Sequence, residues 1–267
     1  MFFWFQTRVT LTFVGVAFLL YIYIMEKQYR PRLSEFEWSI VQKERAAQDK
    51  SLGNVLVIGD IHEPFCLDGY LEHCKAQMRK YQCSEVVFIG DVIDSHYSSF
   101  HRADPDGYGA GDELERAVDK IQEWYKAFPK AKVCIGNHDA IIRRKAFDSG
   151  VSKAWVRDFD EVLGVDGWDF KEDHTIDGVL YVHGTGTSGR SAAANKSLEF
   201  NCPVVQGHIH TEASVIYNGS NWGMQVGCGV DRDSYAMAYA KHFAKSYKLA
   251  CGVVLNNGTL PIVIPFI

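Results

Sequence analysis

The chain has 267 residues and a formal net charge of −5, with 47% hydrophobic and 23% charged residues. These ordinary globular values exclude wholesale disorder, collagen-like repeats and low-complexity sequence. The slight acidic excess argues against a dedicated nucleic-acid binder with an overall basic field, although a local basic groove is compatible with it. The seven cysteines are widely spaced and include no C-x-x-C pair. We therefore expect free thiols in a reducing compartment.

The N-terminal segment differs in composition from the rest. Residues 9–25 carry no charge, and aromatic residues flank the apolar run. Bulky residues stand where signal peptidase needs small ones, so residues 1–25 are predicted to be a membrane anchor. A hydrophobic helix or strand packed on the domain is the alternative. Basic residues follow the run, which places the next domain on the cytoplasmic side. Residues 26–53 are predicted to form a charged helical linker.

From residue 54 onward, apolar runs alternate with amphipathic patterns. In chain order, the pattern predicts a strand over 54–59, a helix over 68–81, a strand over 85–90, a helix over 112–128 that Asp112 caps, and a strand over 131–136. Helices follow over 140–147, 153–163 and 188–198, and strands over 179–183, 204–206, 213–217, 224–228, 252–255 and 262–265. This alternation predicts an α/β domain in layers, without an internal linker, over residues 54–267.

Five short motifs follow predicted strands, and each contains residues that can bind a divalent metal. They are Asp60-Ile61-His62, Gly90-Asp91-Val92-Ile93-Asp94, Gly136-Asn137-His138-Asp139, His183-Gly184 and Gly207-His208-Ile209-His210. Residues i and i+2 of an extended chain point to the same side, so Asp60 and His62 can reach one ion. Because ligands in open α/β sheets gather at the carboxyl ends of strands, we expect the five motifs to meet.

The residue types in these motifs indicate which metals would bind. Oxygen and nitrogen ligands without thiolates fit Mn, Fe, Zn, Ni or Co better than a structural zinc or calcium. A carboxylate can bridge two ions, and two ions about 3.5–4 Å apart can hold a hydroxide for in-line displacement at phosphorus. Each motif alone is weak, since Asn137 by itself would be read as a helix N-cap. Chance is a poor explanation for five such motifs in this order, each at the end of a predicted strand.

Together the motifs resemble the calcineurin-like metallophosphoesterases, whose pattern is D-x-H, G-D-x-x-D, G-N-H-D/E, H and G-H-x-H. The resemblance covers residues 54–267, and residues 222–228 look like small members found in bacteriophage genomes. It implies a four-layer α-β-β-α sandwich of two mixed β-sheets with a dinuclear metal site at the strand ends. The implied cofactors are two divalent metal ions, and Mn²⁺ is the expected ion in vitro.

The resemblance also implies residue roles. Seven positions match metal ligands of the family: Asp60, His62 and His210 for the first metal, Asn137, His183 and His208 for the second, and the bridging carboxylate Asp91. His138 resembles the general acid that protonates the leaving oxygen, and Asp94 resembles its orienting partner. A carboxylate beside an imidazole fixes its tautomer and stabilises its charged form. In this scheme a hydroxide bridging the metals attacks phosphorus.

Two departures from the pattern bear on the substrate. Ser95 and His96 follow G-D-x-x-D where protein Ser/Thr phosphatases have arginine, and His138 stands where lipid A-pathway pyrophosphohydrolases have arginine. We expect a metal-dependent phosphoester hydrolase, with a phosphodiesterase or nuclease on the same centre as the alternative. A lipid-linked pyrophosphohydrolase and a non-catalytic scaffold are less favoured. The expected partner is a phosphate ester, with nucleic acid as one candidate, and a membrane contact would use residues 9–25.

One loop is a candidate for substrate binding. Residues 95–111 lie between the bridging Asp91 and the next predicted helix. Loops beside a site carry function disproportionately, so His101 or Arg102 could meet a phosphate oxygen. A solvated surface loop is an equally weighted interpretation. Arg143 and Arg144 are interpreted as a solvated helix face and are given no role.

Overall fold

The computed structural model describes residues 53–100, 103–240 and 246–267. The predicted anchor over residues 1–25 lies outside them, as does the predicted linker over 26–53 apart from its last residue. The candidate substrate residues His101 and Arg102 are also outside them. Within the described ranges, no helix is both long and apolar enough to cross a membrane.

The described residues form eleven strands and five α-helices. The strands are β1 (Asn54–Ile58), β2 (Cys83–Phe88), β3 (Ala131–Cys134), β4 (Trp168–Lys171), β5 (Asp173–Ile176), β6 (Val179–Val182), β7 (Val204–Gln206), β8 (Ser214–Asn218), β9 (Asn221–Gln225), β10 (Ala250–Leu255) and β11 (Leu260–Pro265). The helices are α1 (Tyr70–Lys80), α2 (Ala110–Ala127), α3 (Ile141–Asp148), α4 (Phe159–Leu163) and α5 (Ala192–Phe200).

The strands build two mixed sheets. The first has six strands in the order β11-β10-β1-β2-β3-β4, and the second has five in the order β5-β6-β7-β9-β8. Strands β1 to β4 run parallel to one another. On the other side of β1, β10 pairs antiparallel with β1 and β11 pairs antiparallel with β10. In the second sheet β6, β7 and β9 are parallel, and β5 and β8 are antiparallel edges. The carboxyl ends of β1, β2 and β3 therefore meet at one edge of the first sheet.

Strand β1 shows how the layers pack. Val55 and Val57 point into the core between the two sheets. The alternate residues Leu56 and Ile58 join the core beneath α1 and α2, as the two-residue period of a strand requires. On the outer face of the second sheet, α5 packs so closely on β9 that a Cβ at Gly223 would lie 2.3 Å from the backbone of α5. The layers are helix, sheet, sheet and helix, which confirms the predicted sandwich.

Helix α2 starts earlier than predicted. Its N-cap position is Gly109, so the prediction that Asp112 caps the helix is wrong, and Asp112 lies in the first turn. An acidic side chain there still stabilises the helix through its dipole. The buried face includes Ile121 and Trp124, whereas Leu114 is exposed. The helix thus presents its tryptophan to the first sheet.

Four further elements differ from prediction. The single helix predicted over 153–163 is instead a 3₁₀ turn over Lys153–Trp155 followed by α4. Strands β4 and β5 were not predicted, because each is a short edge strand whose charged residues weaken the apolar signal. Strand β9 begins three residues before the predicted start, since Gly223 interrupts its apolar pattern although the helix above requires it.

Candidate metal centre

The loops that follow β1 and β2 are joined by backbone hydrogen bonds. The His62 N–H donates to the Asp91 carbonyl at 2.9 Å, and the Asp94 N–H donates to the Glu63 carbonyl at 3.1 Å. These bonds continue the pairing of the two parallel strands beyond their ends. The first two motifs are therefore held at fixed distances from each other.

Asp139 ties the third motif to the second. Its buried carboxylate accepts hydrogen bonds from the backbone N–H groups of Val92 at 3.0 Å, Ile93 at 3.2 Å and Gly136 at 2.8 Å. Burial raises the pKa of Asp139 to about 6, against the effect of these bonds. Sequence analysis gave Asp139 no role, and the structure places it as the residue that orders the loops beneath the site.

Two groups of side chains at this edge have metal-binding geometry. Within each group, one ligand atom per residue lies within 4.8 Å of the others. The groups are Asp60, His62 and His210, and Asp91, His183 and His208; His62 and Asp91, one from each group, also form such a group with His138. The amide oxygen of Asn137 lies 3.0 Å from His183 Nε2, which places it beside the second group. The structure thus brings all seven predicted ligand positions into one centre.

Asp91 lies between the two groups. Its Oδ2 atom is 3.5 Å from Nε2 of His62 and 3.2 Å from Nε2 of His183. Its other oxygen accepts a hydrogen bond from the backbone N–H of His138 at 2.8 Å. One carboxylate oxygen therefore faces imidazole nitrogens from both groups, as a shared ligand would.

The imidazole rings are oriented by their other nitrogen atoms. His183 Nδ1 lies 3.0 Å from the carbonyl of Ile89, and His62 Nδ1 lies 2.6 Å from a carboxylate oxygen of Asp94. A carbonyl oxygen can only accept, so Nδ1 of His183 carries a proton, and Nε2 is the nitrogen that faces Asp91 and Asn137. Carbonyl and carboxylate partners of this kind orient metal-binding histidines in proteins.

The donor set fits a pair of divalent cations. Among the described residues, Oδ1 of Asp60 and Nε2 of His62 are buried and have no hydrogen-bond partner. Leaving such an atom unpaired costs about 1–3 kcal/mol, and a metal ion bound by both atoms would remove this cost. Carboxylate, amide and imidazole donors are those expected for first-row divalent metals.

Electrostatics place negative charge at the centre and a proton on His138. Burial alone would raise the pKa values of Asp91 and Asp94, but the neighbouring imidazoles outweigh it and hold both carboxyl groups well below their usual range. Burial alone would lower the pKa of His138, but the carboxylates of Asp91 and Asp94 outweigh it and raise the pKa to about 10. In the protein without metal, His138 thus carries its proton at neutral pH.

Asp94 lies within hydrogen-bond distance of two histidines, His62 and His138. Nδ1 of His138 lies 2.6 Å from the Asp94 carbonyl oxygen and 3.3 Å from its carboxylate. The same carboxylate oxygen is 2.6 Å from His62. The predicted contact between Asp94 and His138 is present, and the shorter of its two distances is to the backbone carbonyl oxygen of Asp94.

Comparison with known proteins agrees with this site. A family model described as calcineurin-like phosphoesterase matches residues 53–223, more than half of the chain. The chain belongs to the calcineurin-like phosphoesterase family. The protein is therefore a metal-dependent phosphoesterase. No curated protein matches the chain in sequence.

Several solved structures resemble this calcineurin-like phosphoesterase. An archaeal phosphodiesterase is 12% identical, with a TM-score of 0.44, and the match covers 80% of this chain and 99% of that chain. Vacuolar protein sorting 29 from Cryptosporidium parvum is 13% identical, with a TM-score of 0.41 and coverages of 80% and 96%. The phosphoesterase YfcE from E. coli is 13% identical, with a TM-score of 0.38 and coverages of 79% and 98%.

Three candidate ligands of the phosphoesterase have a strained backbone conformation. His62, Asp91 and His208 have φ values of 48°, 49° and 67°, in the left-handed region that side chains rarely adopt. Each such residue costs on the order of 1–3 kcal/mol and persists only where its surroundings hold it. The turns that carry the candidate ligands are thus held by the fold against local preference.

Gly136 is required because Asp91 lies against it. A Cβ at Gly136 would be 2.1 Å from Oδ1 and 2.2 Å from the backbone nitrogen of Asp91. We expect Gly136→Ala to displace Asp91 and to weaken Mn²⁺ binding by about 10-fold or more, as for other disturbed metal-supporting groups. Equilibrium dialysis measures the affinity. Gly111→Ala is the control, since a Cβ there meets nothing within 4 Å. Equal affinity of both variants would contradict this placement.

Two buried carboxylates outside the motifs support the site, and sequence analysis missed both. Glu63 accepts a hydrogen bond from the indole N–H of Trp124 at 2.8 Å. Glu113 accepts from the backbone N–H groups of His96 at 2.5 Å and Tyr97 at 3.2 Å, which fixes the loop after β2. The only sequence signal was a charged residue on the apolar face of a predicted helix, as with Glu113.

Glu63 makes stability depend on pH. Burial raises its pKa from 4.5 to about 7, against the Trp124 hydrogen bond. The folded-state pKa of Glu63 lies above its unfolded value. The contribution of protonated Glu63 to the free energy of unfolding is therefore complete below pH 4.5 and is lost as the pH rises through 7. In chelated protein, the free energy of unfolding should fall between pH 4.5 and 8 by about 3 kcal/mol more in the wild type than in Glu63→Gln. Urea titrations measure it, and parallel pH profiles would contradict it.

Proposed function

We propose that this calcineurin-like phosphoesterase hydrolyses its substrate at one dinuclear centre. The proposed ligands are Asp60, His62 and His210 for one ion, Asn137, His183 and His208 for the other, and Asp91 for both. The observation that carries the proposal is the position of one Asp91 oxygen, 3.5 Å from Nε2 of His62 and 3.2 Å from Nε2 of His183. When bound, the ions would supply Lewis-acid stabilisation of the phosphoryl oxygens and activation of the attacking water.

His138 is the proposed general acid. Its Nδ1–H is directed at the carbonyl oxygen of Asp94 at 2.6 Å, which leaves Nε2 for the leaving oxygen. In the protein without metal, the two neighbouring carboxylates raise the pKa of His138. Asp94 is the proposed positioning residue, since it fixes the ring and the tautomer of His138. A protonated imidazole in this place would neutralise the negative charge on the departing oxygen.

A paired assay on the full chain tests this function. The protein is chelated, supplied with Mn²⁺, and assayed on p-nitrophenyl phosphate and on its bis-ester. We expect turnover to disappear on chelation and to return with the metal. Faster cleavage of the monoester would identify a phosphatase, and faster cleavage of the bis-ester would favour the phosphodiesterase or nuclease alternative. Full turnover after complete metal removal would contradict the proposal.

A further inference from the structure

A cleft opens beside His138. It has a volume of about 240 Å³ and is lined by Ser99, Phe100, Asn137, His138, Ile141 and Arg144. One liquid water occupies about 30 Å³, so the cleft has room for a group larger than solvent. Because His138 is the proposed acid, the part of a substrate that occupies this cleft is the leaving group.

Arg144 is the cationic residue in this lining. It lies on α3 and is exposed, and its guanidinium carbon lies 4.7 Å from the centre of the Phe100 ring. No hydrogen bond or ion pair of its side chain is found with any residue in the described part of the chain. A guanidinium with a planar face on an aromatic ring keeps its N–H groups available for an anion.

The adjacent arginine also stacks on an aromatic ring, but it is paired with a carboxylate. Arg143 donates to a carboxylate oxygen of Asp158 at 2.9 Å and lies 3.9 Å from the centre of the Phe159 ring. Its charge is therefore paired within the protein, and Arg143 does not line the cleft beside His138. Arg143 provides a control with the same side chain, one position along the same helix.

A second cation lies beside the residues that line the cleft. Lys145 Nζ lies 3.4 Å from the carbonyl oxygen of Ser99 and 5.5 Å from the centre of the Phe100 ring. None of the residues that line the cleft is a carboxylate. In a chain with a net charge of −5, the cleft is a local positive site that favours an anion.

We propose that Arg144 binds an anionic group on the leaving part of the substrate, so that the preferred substrate is a phosphodiester whose leaving group carries a further phosphate. The inference rests on the proposed function, because it uses the position of His138 to assign the leaving side. Arg144 acts as a specificity-determining residue. Guanidinium–phosphate pairs are among the stronger hydrogen bonds in proteins and are often bidentate.

The test compares two dinucleotides, TpT and pTpTp, with the Mn²⁺-loaded full chain. Since pTpTp is phosphorylated at both ends, its leaving group carries a phosphate whichever ester bond breaks. We expect kcat/KM for pTpTp to exceed that for TpT by about tenfold or more. Arg144→Met should lower this ratio by about tenfold, and Arg143→Met should leave it unchanged. An unchanged ratio in Arg144→Met, or an equal fall in both variants, would overturn the proposal.

A binding measurement separates this proposal from the proposed function. Titration calorimetry with the nucleoside bisphosphate pTp should give an affinity about tenfold lower for Arg144→Met than for wild type or Arg143→Met. Equal affinities would overturn the Arg144 assignment even if hydrolysis is observed. Weaker binding by Arg144→Met would support it, and a lack of metal-dependent hydrolysis would then contradict only the proposed function.

Discussion

Replacing Asp91 with asparagine is expected to lower kcat/KM on bis-p-nitrophenyl phosphate by about 10³-fold. The amide can still accept the hydrogen bond from the His138 backbone, but it removes the negative charge between His62 and His183. Lewis-acid stabilisation by bound metal is worth several kcal/mol, and each ~1.4 kcal/mol corresponds to a factor of ten in rate. Steady-state kinetics at saturating Mn²⁺ measure the loss.

A matched control removes an acidic group far from the centre. Asp169 on β4 is exposed and pairs with Lys171 at 2.6 Å, so Asp169→Asn should retain wild-type turnover. Circular dichroism should show the same fold in both variants. Full activity of Asp91→Asn at saturating metal would contradict the proposal that Asp91 is a ligand of both metal ions.

Replacing His138 with alanine is expected to slow hydrolysis by an amount that depends on the leaving group. General acid catalysis contributes about 10²–10⁴-fold, and it matters most where the departing oxygen is most basic. The loss should therefore be larger on phenyl phosphate than on p-nitrophenyl phosphate. The ratio of the two losses is the quantity to measure, because a ring that only positions substrate would affect both esters alike.

Its control is a histidine outside the centre. His73 lies on α1, near the ring of Tyr70, and His73→Ala should give wild-type rates on both esters. Equal losses on phenyl and p-nitrophenyl esters in His138→Ala would reject the role of His138 as proton donor while leaving the metal centre intact.

The site could be predicted in advance because metal chemistry limits which residues can serve. Asp60 and His210 are 150 positions apart in sequence, yet each belongs to a motif that follows an apolar run predicted to be a buried strand. Parallel strands bring such positions to one edge of a sheet. The placement of each motif after a predicted strand therefore predicted that the motifs would lie together. The alternation of apolar runs and amphipathic patterns predicted α/β layers, whereas the four-layer sandwich of two sheets was implied by the family resemblance.

Other features depend on contacts that no local pattern reveals. Glu63 and Trp124 are 61 positions apart and meet only because α2 packs on the first sheet. The start of α2 depends on its packing as well as on its capping signal, which is why the choice of Asp112 was wrong. Arg143 and Arg144 are indistinguishable in sequence, and the structure separates them through Asp158, Phe159 and Phe100.

The most direct test of the account counts the ions. Chelated wild-type protein is titrated with Mn²⁺, while bound metal is measured by equilibrium dialysis and magnetic coupling by electron paramagnetic resonance. The account predicts two Mn²⁺ ions per chain, with a spin-coupled signal that grows together with hydrolysis and is lost in Asp91→Asn. A single bound ion in the active protein, or two ions without coupling, would contradict a centre built around a shared carboxylate.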